Sequence, residues 1–242
     1  MTAIIPAIFF TLCGIAALAF YIPLRIKKDL NKGILFKIAT SVFFLLTAGA
    51  SVAASSGAVW EQYKYLFLGI VFGQIFGLLG DYWLDMKDML PAAHHDRYTF
   101  TGFISFFICH LFFNAGLVAA YGTDWKKLLV ILGAGAVLCA FVMGTEKLMK
   151  LKYGKFKGIT AGYSVVFGMS IAAALFSWLY GGRNPQALVM AIGLVVFLLS
   201  DLVLSGTYFG EGKDKPIDIT LNYIFYYGGQ FTIALSLLAL KN

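Results

Sequence analysis

Apolar residues run along the chain in eight long blocks, separated by short stretches that carry most of the charged residues. Each block is about 20 residues long, the length of an α-helix that crosses the hydrocarbon core of a bilayer. The blocks lie near residues 3–24, 34–54, 65–86, 99–121, 126–146, 158–180, 186–206 and 218–240. The ten-residue alternation of a membrane β-barrel is absent from the sequence. The pattern predicts an all-α polytopic membrane protein with eight transmembrane helices.

The composition supports this prediction, because 60% of the residues are hydrophobic and only 13% are charged. Soluble domains carry about 25% charged residues. The 26 glycines suit close packing of helices in lipid. The loops are too short for a soluble domain, so we expect one membrane domain, 1–242. The first block has basic residues after it but none before it, unlike a signal peptide, so we expect it to remain as helix 1.

The net charge of +7 indicates contact with anionic lipid headgroups, because the basic residues are divided among loops and form no stripe of the kind that binds nucleic acid. Thirteen basic residues follow helices 1, 3, 5 and 7: Arg25, Lys27, Lys28, Lys32, Lys87, Arg97, Lys147, Lys150, Lys152, Lys155, Lys157, Lys213 and Lys215. Five lie on the other side: Lys64, Lys126, Lys127, Arg183 and Lys241. Cytoplasmic loops carry the basic excess. Both termini are therefore predicted to lie outside the cytoplasm, with the protein in the cell (inner) membrane.

Neither a disulfide framework nor a metal site is expected. Cys13, Cys109 and Cys139 are odd in number and lie inside apolar blocks, which favours a packing role. The His-His-Asp segment 94–96 invites a metal interpretation, but a catalytic zinc ion usually needs three protein ligands and only one histidine lies within a predicted span. The glycines form no phosphate-binding loop or dinucleotide fingerprint. We expect no cofactor.

An internal repeat with an offset of 120 residues relates the two halves of the chain. The segment Phe36-Lys37-x-x-Thr40 matches Phe156-Lys157-x-x-Thr160. In the same register Gly73, Leu78, Leu79, Asp81 and Leu84 match Gly193, Leu198, Leu199, Asp201 and Leu204, and His110 matches Gln230. Repeats of four helices are parallel, and proteins built this way tend to hold their sites at the repeat interface. The sequence predicts two four-helix halves, 1–121 and 122–242.

The repeat brings Asp81 and Asp201 to equivalent positions inside the membrane, where a carboxylate costs about 2.5 to 3.5 kcal/mol. Three more polar residues fall at the same depth, in the cytoplasmic half: Lys37, Tyr163 and Tyr223. Nearer the middle, we expect two others to form the floor of the same cavity: His110 and Gln230. One face of helix 3 carries Gln74, Gly77, Asp81 and Asp85. Similar stripes lie on helix 4, with Phe103, Phe107, His110 and Asn114, and on helix 8, with Tyr223, Tyr226 or Tyr227, and Gln230. These stripes predict a wet pocket.

Two carboxylates in one partly dehydrated site do not easily ionise together, so one of them is expected to hold a proton. Such a pair provides an acid and a base for hydrolysis. The acid protonates the substrate, and the base activates a water molecule. Other interpretations remain open. Each aspartate could form an ion pair with Lys37 or Lys157, and Asp85 could reach the headgroups. His110 could be an acid or base, or a structural hydrogen-bond partner. Lys37 could neutralise a phosphate or a carboxylate, or snorkel.

Four segments in order, GLLGDYWLD, FTGFISFFICHLFF, GLVVFLLSDLVLS and NYIFYYGGQF, resemble the YhhN-like lysoplasmalogenases. The resemblance implies a membrane hydrolase that cleaves the vinyl ether of lysoplasmalogens, releasing a fatty aldehyde and glycerophospho-ethanolamine or glycerophosphocholine, without metal or cofactor. It also implies roles for the matching residues: catalytic Asp81, Asp201 and His110, and substrate-binding Lys37, Tyr163, Tyr223 and Gln230, to which we add Asp85. Asp85 and Ile38 depart from the expected pattern.

Two other functions compete with lipid hydrolysis. GLLGD resembles the GxGD motif of presenilin-like aspartyl proteases, but the motif order is reversed and Ser200 stands where a tyrosine is expected before Asp201. Parallel repeats with intramembrane aspartates also suit a proton-coupled transporter of lipids or small molecules. The sequence leaves the oligomeric state open.

Overall fold

The computed structural model describes residues 4–54, 57–211 and 215–240, and these contain helices and no strands. Eight α-helices follow one another: α1 Ile5–Ile26, α2 Leu30–Ala53, α3 Gly57–Met89, α4 His95–Tyr121, α5 Trp125–Leu148, α6 Lys157–Tyr180, α7 Pro185–Phe209 and α8 Pro216–Ser236. The predicted all-α fold is confirmed. Lys213 and Lys241, which entered the count of basic residues, lie outside the described residues.

Seven of the eight helices in the described chain are long and apolar enough to cross a membrane. The exception is α8, whose 21 residues include Asn222, Gln230 and three tyrosines that lower its hydropathy. The helix α3 is longer than predicted, with 33 residues, because the chain is already helical at Gly57, ahead of its apolar block. At about 1.5 Å per residue it exceeds the hydrocarbon core.

Polar side chains cap the first turns of α5 and α7. Asp124 accepts a hydrogen bond from the backbone N–H of Lys127 at 2.9 Å, and Asn184 accepts one from the N–H of Gln186 at 3.1 Å. The bond from Lys127 lowers the pKa of Asp124. These caps satisfy N–H groups that have no partner inside the helix.

The outermost helices are α1 and α5, whose apolar windows are each only 22% buried. Large apolar side chains such as Phe9, Leu12, Val137 and Phe141 are exposed on them. Lipid tails would cover these side chains in a bilayer. The buried core lies between the other helices, which therefore determine the environment of the polar residues.

Contacts between the helices recur at the offset of 120 residues. The helix α2 packs against α1, α3 and α8, and α6 packs against α5, α7 and α4 in the same way. A Cβ on Gly73 would lie 3.0 Å from the carbonyl oxygen of Cys109, and a Cβ on Gly193 would lie 3.0 Å from that of Gly229. The matched contacts support the proposal of two four-helix halves.

Close approach between α3 and α4 depends on glycine, and substitution there is expected to destabilise the protein. A Cβ on Gly69 would lie 2.7 Å from the Cα of Gly116 and 2.7 Å from the carbonyl oxygen of Phe112. We expect Gly69→Ala to lower the free energy of unfolding by roughly 1 to 3 kcal/mol, as overpacking does. Thermal unfolding in detergent measures the effect. Gly49→Ala is the control, because nothing lies within 4 Å of its Cβ. Equal unfolding temperatures for the two variants would contradict the close packing.

Candidate functional site

Asp81 of α3 and Asp201 of α7 line the same cavity, which has a volume of about 340 Å³ including space open to solvent. Lys37 of α2 and the tyrosines Tyr223 and Tyr226 of α8 also line it. Four helices thus bring together residues that are far apart in the sequence. Because both carboxylates line one space, the pair has the arrangement that acid–base chemistry needs.

Three polar side chains hold Asp81. Its Oδ2 accepts hydrogen bonds from Ser41 Oγ at 2.9 Å and from Tyr226 OH at 2.8 Å. Its Oδ1 lies 3.5 Å from the Nζ of Lys37. Asp81 is 5% exposed, so these partners replace the water that a carboxylate would otherwise bind. Its orientation towards the cavity is therefore fixed by α2 and α8.

Lys37 forms a second, closer ion pair with Asp85. Its Nζ lies 2.8 Å from Asp85 Oδ1, and the other oxygen of Asp85 accepts a hydrogen bond from Tyr21 OH at 3.0 Å. The ammonium also lies 5.3 Å from the ring centre of Tyr223. Lys37 is 3% exposed and Asp85 is 5% exposed. The interpretation that Asp85 reaches the headgroups is therefore wrong, and the ammonium of Lys37 faces carboxylates.

Asp201 has different surroundings from Asp81. Its Oδ2 accepts a hydrogen bond from Tyr163 OH at 2.5 Å. Lys157, which matches Lys37 in the repeat, turns away and pairs with Glu146 at 2.6 Å on the exposed surface. The alternative in which Lys157 pairs with an aspartate of the site is therefore wrong. Asp81 and Asp201 match at the 120-residue offset, but only Asp81 has a lysine of this matched pair beside it.

A second, apolar cavity begins at Asp201. Its volume is about 610 Å³ including open space, and it lies between α4, α5, α6 and α7. Its walls are mainly aromatic and leucine side chains, among them Phe103, Phe106, Phe167 and Leu198. Asp201 therefore stands where an apolar space meets the polar cavity of the two aspartates.

His110 and Gln230 are fully buried and lie outside the linings of both cavities. The His110 ring is stacked on Phe167 at 3.9 Å, and its Nδ1 lies 3.1 Å from Ser170 Oγ. Gln230 accepts a hydrogen bond from Gln74 through its backbone oxygen at 2.9 Å. The expectation that they form the floor of the aspartate cavity is wrong, because packing between helices encloses them.

Three side chains of the site were missed as site residues by the sequence analysis: Tyr21, Ser41 and Tyr226. Ser41 follows Lys37 by four residues, so it lies on the same face of α2, and this spacing was a usable signal. Tyr226 belonged to a recognised polar stripe, but its bond to Asp81 depends on how α8 packs against α3. Tyr21 has no sequence signal, because its role comes from the packing of α1.

The His-His-Asp segment does not gather into a cluster. His95 Nε2 lies 2.9 Å from the carbonyl oxygen of Leu90, and Asp96 pairs with Lys155. Within the described ranges, no group of three or more histidine, cysteine or acidic side chains is placed to hold a metal ion. The cysteines Cys13, Cys109 and Cys139 are free thiols.

The fold and the site define an integral membrane protein of helices with a polar, carboxylate-containing site within the bundle. A model of the YhhN family matches residues 32–237, most of the chain, and the protein belongs to the YhhN family. The matched region contains both aspartates and every other residue implied by the resemblance.

Two lipoprotein signal peptidases of Helicobacter pylori are also similar to this chain. The protein of strain Shi470 is 26% identical over 127 residues, which cover 46% of this chain and 78% of that protein. The protein of strain HPAG1 is 28% identical over 124 residues, with the same coverage of both chains. No solved structure matches the chain significantly.

Proposed function

We propose that the protein hydrolyses the vinyl ether bond of 1-alkenyl lysophospholipids, giving a fatty aldehyde and glycerophospho-ethanolamine or glycerophosphocholine. The observation that carries the proposal is the position of Asp201, which lies between the apolar cavity and a polar cavity that also contains Asp81. A single hydrocarbon chain fits the chemistry of the apolar walls, and the ether oxygen then lies beside two carboxyl groups. Membership in the YhhN family supports the same reaction class.

In the mechanism that we propose, Asp201 is the acid and Asp81 is the ionised carboxylate. The nearby ammonium of Lys37 stabilises negative charge on Asp81. Asp201 instead accepts a hydrogen bond from the neutral hydroxyl of Tyr163. Asp201 gives its proton to the outer vinyl carbon, which leaves an oxocarbenium ion at the carbon bonded to oxygen. The charge of Asp81 stabilises this cation without covalent bonding.

Water completes the reaction and restores the acid. A water molecule held by Asp81 and the hydroxyl of Tyr223 adds to the oxocarbenium carbon and forms a hemiacetal. The hemiacetal collapses to the aldehyde and the glycerol hydroxyl, and the proton released by the water returns to Asp201. We assign His110 a positioning role, because its ring stacks on Phe167 and contacts the ring of Tyr163 edge-on.

We also propose that the protein lies in the cell membrane with the site in the cytoplasmic half and both termini outside the cytoplasm. The loops at the ends of α1, α3, α5 and α7 carry the excess of lysine and arginine, and such loops are retained in the cytoplasm.

Aldehyde release from a defined substrate is the direct test. Purified protein in detergent is incubated with 1-alkenyl-lysophosphatidylethanolamine, and fatty aldehyde is measured by mass spectrometry. We expect aldehyde and glycerophosphoethanolamine in equal amounts. The saturated 1-alkyl ether of the same chain length is the control, because it has no double bond to accept the proton and should remain intact. No aldehyde from the vinyl ether would reject the proposal and direct attention to proton-coupled transport, which proteoliposomes would test.

The similarity to lipoprotein signal peptidases favours a second candidate, hydrolysis of a peptide bond. In this candidate the group that is attacked is the carbonyl of a peptide bond, whereas in the first it is a vinyl ether. Incubation with a lipoprotein precursor and analysis of the product by mass distinguishes the two candidates. Peptide cleavage without aldehyde release would favour the peptidase.

A further inference from the structure

A third space, which we call the basic recess, opens at the helix ends beside the two cavities. Its volume is about 880 Å³ including open solvent. It lies where the end of α3, the start of α4, the link between α5 and α6, and the end of α7 meet. The residues that matter here are Lys87, Asp96, Lys152, Lys155, Tyr208 and Phe209. Tyr208 also lines both aspartate-containing cavities, so the three spaces adjoin at this side chain.

The wall of the basic recess is built from packed structure. The backbone N–H of Lys152 donates to the carbonyl oxygen of Phe209 at 2.8 Å, which ties the α5–α6 link to the end of α7. The ring of Tyr153, which is 1% exposed, lies 4.9 Å from that of Phe209. Lys87 Nζ lies 3.8 Å from the ring centre of Tyr208. The recess therefore does not depend on the lysine side chains for its shape.

The recess presents charges of both signs. Lys152 Nζ lies 2.7 Å from Glu211, and Lys155 pairs with Asp96. The hydrogen bond and the charge of Lys152 lower the pKa of Glu211. The same hydrogen bond and the charge of Glu211 raise the pKa of Lys152. Both groups are therefore ionised at neutral pH. The side chains of Lys152 and Lys155 are 78% and 62% exposed. Exposed pairs of this kind are weak, so a ligand with both charges can replace them.

We propose that the basic recess binds the zwitterionic phosphoester headgroup of a lysolipid whose chain occupies the apolar cavity. The inference rests on the proposed function. The phosphate contacts Lys152 and Lys155, and the amine faces Asp96 and Glu211. Arginine and lysine bind phosphate through strong charge-assisted hydrogen bonds.

The apolar and polar cavities share Asp201, and all three spaces share Tyr208, which suits the order of groups in such a lipid. The chain lies in the apolar cavity, the ether bond lies at Asp201, and the glycerol passes Tyr208 to reach the recess. Lys37 is an unsuitable phosphate ligand, because its ammonium is buried against Asp81 and Asp85. The headgroup therefore binds to lysines that are open to solvent.

Kinetics with two substrates test the proposal. One is 1-alkenyl-lysophosphatidylethanolamine and the other is 1-alkenylglycerol, which has the same chain and vinyl ether but no headgroup. For the double variant Lys152→Gln/Lys155→Gln we expect KM for the phospholipid to rise about tenfold, equivalent to about 1.4 kcal/mol, with kcat unchanged. KM for 1-alkenylglycerol should stay the same. The control is Lys64→Gln, which removes a similarly paired lysine at the start of α3 and should change neither KM.

A binding measurement separates this inference from the proposed reaction. The probe is the uncleavable 1-alkyl-lysophosphatidylethanolamine, added to wild type and to the double variant, with the unfolding temperature as the readout. At the same probe concentration, a smaller stabilisation of the double variant than of wild type supports the recess even if no aldehyde forms, in which case only the proposed reaction fails. Aldehyde release with equal KM and equal stabilisation in both proteins overturns the recess and leaves the reaction standing.

Discussion

Asp201→Asn is expected to fold and to lose aldehyde release by about 10² to 10⁴-fold, the usual contribution of a positioned acid or base. The amide keeps the size of the side chain and still accepts the hydrogen bond from Tyr163 OH through its carbonyl oxygen. It has no acidic proton to give to the vinyl carbon. The loss should therefore appear in kcat, measured as initial rates of aldehyde formation.

Two controls make this result specific. The variant should still be stabilised by the uncleavable 1-alkyl lysolipid, which shows that the cavities are intact. Asp124→Asn replaces an exposed aspartate that caps α5, and it should keep full activity because asparagine is an equally good cap. We expect Asp81→Asn to lose activity as well. An Asp201→Asn protein with wild-type kcat would rule out Asp201 as the acid.

Lys37→Met is expected to lower the free energy of unfolding by roughly 3 to 5 kcal/mol, the cost of leaving a buried charge without its partner. The substitution keeps a linear side chain but removes the ammonium that lies 2.8 Å from Asp85 and 3.5 Å from Asp81. Both carboxylates are 5% exposed, so loss of the ammonium leaves two buried carboxylates without their cationic partner. Thermal unfolding in detergent should show a large decrease in the midpoint temperature.

The repeat supplies a matched control for this prediction. Lys157 has the equivalent sequence position, but it pairs with Glu146 on the exposed surface, so Lys157→Met should cost at most about 1 kcal/mol. The double variant Lys37→Met/Asp85→Asn removes one of the two unpaired carboxylates and should recover part of the lost stability. If Lys37→Met unfolds at the same temperature as Lys157→Met, the buried ion pairs are not needed for stability.

Lys37 and Lys157 illustrate why the sequence predicted the fold better than the site. The two lysines match at the 120-residue offset, and the helical contacts recur at the same offset, but Lys37 lies two turns inside α2 whereas Lys157 is the first residue of α6. Their partners differ, because Asp85 lies within reach of Lys37, whereas Ser205 holds the equivalent position in α7 and Glu146 of α5 lies within reach of Lys157. A repeat relates backbones, but ion pairing depends on which side chains stand opposite in each half.

His110 was the least predictable member of the site. Its spacing on α4 indicated the correct face, since His110 and Asn114 both contact α6. Periodicity does not reveal that Phe167 stacks on the His110 ring, or that Tyr163 contacts this ring edge-on and donates a hydrogen bond to Asp201. Side-chain packing across helices decided whether a polar residue lines the cavity or lies behind its wall.

The sequence by itself determined the eight long helices of the described residues, seven of them apolar enough to span a membrane, because burial in lipid requires long apolar segments whose backbone groups are satisfied within the helix. It also showed that Asp81 and Asp201 match at the 120-residue offset. Only the tertiary structure decided that Lys37 neutralises Asp81 and Asp85, while Asp201 opens onto an apolar cavity. The physical reason is that neutralisation and cavity formation depend on contacts between helices distant in the chain, which no local pattern encodes.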